Sequence, residues 1–150
     1  MSATTTAPLA AMYQDVILAH YRAPHNKRAV EGPSGVGARR NPLCGDEVRV
    51  EVRVEDGVVR DVAFGGRCCS IAQASASMLT DAVRGGTREE VEARWQEVDA
   101  LLHGRDPGVP DGALGDRAAL RGVAAFAARV PCALLPWQAL RDALVAAESR

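Results

Sequence analysis

The chain has 150 residues, 47% of them hydrophobic and 25% charged, enough apolar side chain to bury one core without disulfide staples. Its 18 basic and 19 acidic residues give a formal net charge of -1, with no long block of one sign, which argues against a broad nucleic-acid surface. No apolar run approaches the ~18–20 residues that span a membrane, and residues 1–11 lack the basic start and apolar centre of a signal peptide, so a cytoplasmic protein with no membrane partner is expected.

Residues 1–7 read as a disordered lead, and residues 8–150 as a single domain. From Pro8 to about Tyr21, Met12, Val16, Ile17 and His20 recur at helical spacing, and Pro24 ends the pattern. Glu31 to Asn41, with Gly32, Pro33, Gly35 and Gly37, reads as an extended loop. Glu47 to Val54 alternates strictly: valine at 48, 50, 52 and 54, charge at 47, 49, 51 and 53. That is a strand with one buried and one wet face. Asp56-Gly57 is a hairpin turn, and Val58 to Phe64 is the returning strand.

Ser70 to Val83 is a small-residue helix ended by Gly85-Gly86. Thr87 and Glu90 fit a capping box, and Val91, Trp95, Val98 and Leu102 line one helix face. Gly104 to Gly115 reads as a loop and Arg117 to Ala128 as a short helix. Pro131 suits the start of a last helix, Cys132 to about Ala147. There are no internal repeats. The fold expected is α+β, a small antiparallel sheet packed against several helices.

Cysteines of a reduced compartment more often bind metal or do chemistry than form disulfides. Cys44 precedes one strand and Cys69 follows its partner, so an antiparallel hairpin brings Cys44, Asp46 and Cys69 to one end. Cys69 and Cys132 each fall at a helix start, where backbone N–H groups and the dipole favour thiolate. Three thiols and a carboxylate make a tetrahedral ligand set for Zn²⁺. Burial as small hydrophobes is the alternative for each cysteine, and spacing alone leaves both open. His20 and His25 could assist metal or partner binding, though His20 fits packing at the end of the first helix. His103 reads as a surface residue at a helix end, and Trp95 and Trp137 as core.

The motifs also resemble a family. Tyr13-Gln14-Asp15, Ile17-Leu18-Ala19-His20-Tyr21 and Pro24-His25-Asn26 resemble the opening of IscU-like iron–sulfur assembly proteins. Asn41-Pro42-Leu43-Cys44-Gly45-Asp46, the stretch Cys69 to Met78 and the stretch Arg129 to Leu140 are similar to that family's three ligand motifs, in order. Within it the chain resembles the SufU branch. Pro131 stands where scaffold-type members carry His before the third cysteine, Arg84 to Gly122 resembles that branch's insertion, and Leu114-Gly115-Asp116 resembles a motif inside it.

The resemblance implies an IscU-like fold and an enzyme-like, zinc-dependent sulfur acceptor. It would take persulfide sulfur from a SufS-type cysteine desulfurase and pass it towards a downstream iron–sulfur scaffold. It also implies zinc ligands Cys44, Asp46, Cys69 and Cys132, with Cys44 as acceptor and Arg129 assisting. Zinc would keep the thiolates deprotonated without redox chemistry, and the harder Asp46 oxygen would ease rearrangement. Arg129 has a plainer reading as a solvated helix-end cation. The family usually has Gly where this chain has Cys68; the Ser70-Ile71 register assigns Cys69 as ligand and leaves Cys68 a bystander, an alternative ligand or an oxidation site. Two other functions stay open: an iron–sulfur scaffold or carrier built on the same residues, and a structural zinc module.

Overall fold

A computed structural model describes residues 13–148. The expected lead, and the first turn of the expected first helix, lie outside the described residues. Helix α1 covers residues 13–22, and His20 is buried near its end, as its spacing predicts.

Three antiparallel strands follow: β1 (Gly35–Asn41), β2 (Asp46–Glu55) and β3 (Val58–Arg67), in the order β1-β2-β3. The period-two pattern of β2 is realised, with Val48, Val50 and Val52 fully buried. Asp56 and Gly57 both adopt positive φ, 54° and 74°, which suits the two-residue turn into β3. The expected wet face of β2 is only partly wet. Glu51 is buried, where it accepts the Val30 N–H at 3.0 Å and pairs with Arg49. The chain before β1 folds over that face.

β1 corrects the expected loop over Glu31 to Asn41. Its glycines are there for contact, not for turning. A Cβ on Gly35 would stand 2.1 Å from the Ala143 carbonyl oxygen, and one on Gly37 would stand 2.1 Å from that of Ala139. Bare backbone therefore lies directly on a helix face of small residues, an arrangement that reads in the sequence as turn-forming Gly.

The helices are α2 (Ser70–Val83), α3 (Arg88–Leu102), the single turn α4 (Asp111–Leu114) and α5 (Val130–Glu148). α3 opens on the expected Thr87/Glu90 capping box. α5 lies across β1 and β2, and α2 packs on both α5 and β3. Ala72 to Thr80 are buried along α2, so its small side chains let it run through the centre of the molecule. The expected helix over Arg117 to Ala128 is instead wound as 3-10 turns over Gly115–Ala125 and Ala127–Arg129, broken at Phe126, which leaves helical geometry at φ -120° and ψ 85°. α4 lies within the expected loop, Gly104 to Gly115. The core joins Val50, Phe64, Leu79, Val98, Trp137 and Leu140. No helix among the described residues is long and apolar enough to cross a membrane.

Candidate metal centre

The two ends predicted to meet do meet. Asn41 to Asp46 closes the β1–β2 hairpin, and its turn is tied by Gly45 N–H to the Asn41 carbonyl at 2.8 Å and by Leu43 N–H to Asn41 Oδ1 at 3.0 Å. Gly45 holds φ 76°, a left-handed position that glycine enters without strain. Cys44 projects from this turn and is exposed; Leu43 beside it is 96% exposed. β2 pairs with β3 up to Glu47 opposite Arg67, which sets Asp46 beside the start of α2. There Asp46 Oδ1 accepts the Cys69 N–H at 2.8 Å.

The third arm comes from α5. Cys132 lies in its first turn and is 2% exposed. α5 is pinned to α2 at this level: Trp137 Nε1 donates to Ser75 Oγ at 3.1 Å, and Ser75 Oγ donates to the Ala133 carbonyl at 2.7 Å. Pro136 has no N–H to give the Cys132 carbonyl, so the hold on this helix start comes from burial and from the α2 contacts. Ser75 is an anchor that the sequence concealed, because a Ser in a small-residue helix signals nothing by itself.

Cys44, Asp46 and Cys132 each offer a ligand atom within 4.8 Å of the others. The Cys44 and Cys132 sulfurs are 4.0 Å apart. Two sulfurs bound at ~2.3 Å to one tetrahedral ion stand about 3.8 Å apart, so this pair is already close to coordination geometry. Asp46 Oδ2 is buried and has no hydrogen-bond partner. A carboxylate oxygen left unpaired in the interior is costly, and a cation removes that cost. The donor set therefore fits a thiophilic divalent metal ion.

Cys69 is the N-cap of α2, and its sulfur accepts the Ala72 N–H at 3.5 Å. It stands outside the group of three, but close enough to Cys132 to raise that thiol's pKa. Cys68 is half-buried, packs against the apolar core and also stands outside the group.

The expected helix-start stabilisation of thiolate is overridden at Cys132. Burial first, then the neighbouring Cys69 and Cys44, push its thiol up to about 12. Burial and Asp46 likewise push Cys68 to about 11. Sulfurs crowded with one another and with a carboxylate resist ionisation until a cation joins them.

Arg129 ends the last 3-10 turn, three residues before Cys132, and is exposed. No side-chain partner holds its guanidinium among the described residues. It borders a groove of about 460 Å³ with Tyr13, Ile17, Ile71 and Phe126. Away from the thiols, His20, His25 and Asp81 form a second close group. Asp81 carried no signal in the sequence beyond standing one helical turn after Ser77.

A hairpin and a helix start bring two thiols and a carboxylate together in an α+β domain, with the thiol of a helix N-cap nearby, a donor set of the kind that holds a metal ion. Residues 12–133 match the NifU-like N-terminal domain, and the chain belongs to that family. It is 38% identical over 144 residues to the zinc-dependent sulfurtransferase SufU of Bacillus subtilis, covering 95% of each chain. It is 35% identical to the iron–sulfur cluster assembly scaffold protein IscU of Streptococcus pyogenes, over 89% of this chain and 82% of that one. Among solved structures, the N-terminal NifU-like protein of Brucella abortus superposes with a TM-score of 0.80 at 27% identity, covering 90% of this chain and 93% of that one. An iron–sulfur assembly scaffold protein of the SUF system from Fervidobacterium islandicum superposes at 0.78 and 27%, covering 86% and 93%. The IscU-like fold expected from the motifs is the fold observed.

Proposed function

We propose that this chain is a zinc-dependent sulfurtransferase that accepts persulfide sulfur from a SufS-type cysteine desulfurase for iron–sulfur cluster assembly. The observation that carries the reading is the cluster of Cys44, Asp46 and Cys132, with Cys69 beside it, on a chain similar over 95% of its length to a zinc-dependent sulfurtransferase. Zn²⁺ would be held by these four residues, and its chemistry there is to keep thiols ionised without redox activity. Residues 8–150 act as one domain, with 84–122 as the insertion that carries α3 and α4. The protein works in the cytoplasm and hands sulfur on to an iron–sulfur scaffold.

Cys44 is the acceptor in this reading. It is exposed on a hairpin turn, whereas Cys132 is buried. Its thiolate attacks the outer sulfur of the desulfurase persulfide. The new bond is Cys44 Sγ to that sulfur, the partner's S–S bond breaks, and the partner leaves as thiolate. One persulfide and one thiolate stand on each side of the exchange, so no external oxidant or reductant enters. Arg129, exposed and without a side-chain partner among the described residues, attracts the anionic sulfur or a carboxylate of the partner.

Mass spectrometry after incubation with a SufS-type desulfurase and cysteine tests this. The added sulfur should map to Cys44, Cys44→Ser should abolish desulfurase stimulation, and Arg129→Ala should reduce it while leaving zinc bound. Sulfur on Cys132 instead would overturn the assignment. The likeness to the Streptococcus pyogenes scaffold supports a second reading, in which the same residues carry a cluster. Aerobic purification separates the two: a colourless protein with one zinc per chain supports transfer, and a brown one supports the scaffold. Pro131, in place of the His of scaffold-type members, favours transfer.

A further inference from the structure

We propose that His20, His25 and Asp81, with Asp116 beside them, form a second metal site, suited to a borderline divalent ion such as Zn²⁺ and separate from the thiolate centre. His20, His25 and Asp81 each offer a ligand atom within 4.8 Å of the others. The two imidazole rings are 4.7 Å apart between centroids. His25 Nδ1 is 2.5 Å from Asp81 Oδ2, and His20 Nε2 is 2.8 Å from Asp116 Oδ2. Two imidazoles and two carboxylates, with no sulfur, favour zinc, nickel, cobalt or copper over calcium or magnesium.

The surroundings match those of a metal-binding histidine. His20 is buried, and its Nδ1 lies 2.7 Å from Ser77 Oγ. Ser77 Oγ also accepts the backbone N–H of His25 at 2.8 Å. One hydroxyl thus sets both imidazole-bearing segments. With Nδ1–H donated to Ser77, His20 turns the lone pair of Nε2 towards the Asp116 carboxylate. Ligating histidines are typically fixed by a second-shell acceptor of this kind. A metal ion bound there would displace any proton held between Nε2 and Asp116.

Charge points the same way. The ion pairs of the described residues are mostly made by arginines, yet Asp81 and Asp116 pair only with the two histidines. No arginine or lysine among the described residues pairs with these two carboxylates, so a divalent ion would find their negative charge available. Arg94 and Arg117 border the same groove but are committed to Glu97.

Access and distance allow an independent site. His25, Asp81 and Asp116 are all exposed enough to move, and Asp81 and Asp116 border an open groove of about 310 Å³. Ligands bound at ~2.0–2.2 Å to a tetrahedral ion stand roughly 3.3–3.6 Å apart, so the His25–Asp81 and His20–Asp116 pairs, now 2.5 and 2.8 Å apart, would open by roughly 0.5–1 Å to admit a metal between them. Asp81 lies about 18 Å along α2 from Cys69 at ~1.5 Å per residue, too far for the two sites to share an ion. An ion here would tie α1, the segment after it, α2 and the 3-10 segment starting at Gly115.

The test is calorimetry and visible absorption during Co²⁺ titration of the untagged, full-length protein holding one zinc per chain. One further equivalent should bind, giving d–d bands without thiolate-to-cobalt charge transfer. His25→Ala and Asp81→Asn, both at half-exposed positions, should each weaken that equivalent by at least about tenfold and leave the zinc content of the thiolate centre unchanged. No further equivalent, or one that both variants bind as tightly as wild type, would overturn the site.

Discussion

Gly37→Ala places one methyl group where β1 lies on α5, and the outcome can be worked from distances. The new Cβ would stand 2.1 Å from the Ala139 carbonyl oxygen, 2.6 Å from the Ala143 nitrogen and 2.9 Å from Asp142 Cβ. Ordinary contact needs above 3 Å, so α5 and β1 must part by about 1 Å. Two of the three clashing atoms are backbone, and no rotamer change relieves them. Overpacking of this kind costs ~1–3 kcal/mol, and rigid neighbours on both sides put this case near 3. Restricting the unfolded chain returns about 0.4–1 kcal/mol. The net loss is about 2–3 kcal/mol, a fall of roughly 5–10 °C in Tm for a domain of this size. β1 leads into the Cys44 turn and α5 carries Cys132, so the same displacement should weaken zinc binding in a chelator competition. Gly112→Ala is the control, since its Cβ would meet nothing within 4 Å. A Gly37→Ala protein that melts within about 1 °C of wild type would refute the close-contact account of β1.

Cys69→Ser should lose zinc and Cys68→Ser should keep it; equal losses on metal analysis would reverse the assignment. Asp46→Asn keeps an acceptor for the Cys69 N–H but removes the charge, so zinc affinity should fall while the apo-protein melts as before; Asp46→Ala should also lower apo-protein stability by about 1–3 kcal/mol, read by urea titration. Glu97→Ala leaves buried Arg117 with no carboxylate partner and should cost about 3–5 kcal/mol. Burial raises the Glu97 carboxyl, but hydrogen bonds from Arg94 and Arg117 outweigh it and hold the group below its ordinary 4.5. That stability is present above about pH 4.5 and is lost as pH falls through the depressed folded value, so the gap between wild type and Glu97→Gln should narrow on acidification; a gap constant from pH 7 to 3 would refute it.

Legibility followed pattern. β2 and β3 were readable because one face is buried and the valines alternate, and that hairpin alone predicted that Asp46 and Cys69 would meet. β1 was not readable, because a strand pressed against a helix backbone needs glycine, and glycine in sequence signals a turn. The segment Arg117 to Ala128 has helical composition, yet its last turns are 3-10 and break at Phe126, a tertiary choice that no local spacing encodes. Cys132 was placed correctly at a helix start, but its burial depends on α2 and the β1–β2 turn closing over it. The helix-start argument for its thiolate therefore lost to desolvation. Asp81 and Ser75 were invisible for the same reason: each matters through a residue more than fifty positions away.

The architecture separates rigidity from access among the proposed ligands. Cys132 is fixed twice, by the Trp137–Ser75–Ala133 chain and by burial, and it belongs to the longest described helix. Asp46 is fixed by the β2–β3 register and by the Cys69 N–H. Cys44 is held by turn hydrogen bonds at Asn41 and a weak 4.0 Å sulfur contact with Cys132, and it is exposed beside exposed Leu43. Moving Cys44 would break no core contact, whereas moving Cys132 would unseat α5 from the sheet. A centre in which one thiol must leave to meet a partner's sulfur and then return needs this asymmetry. A purely structural metal site gains nothing from it, since all its ligands serve best when equally buried. The exposed thiol on the least anchored ligand is thus the feature of the fold that favours transfer over a static role.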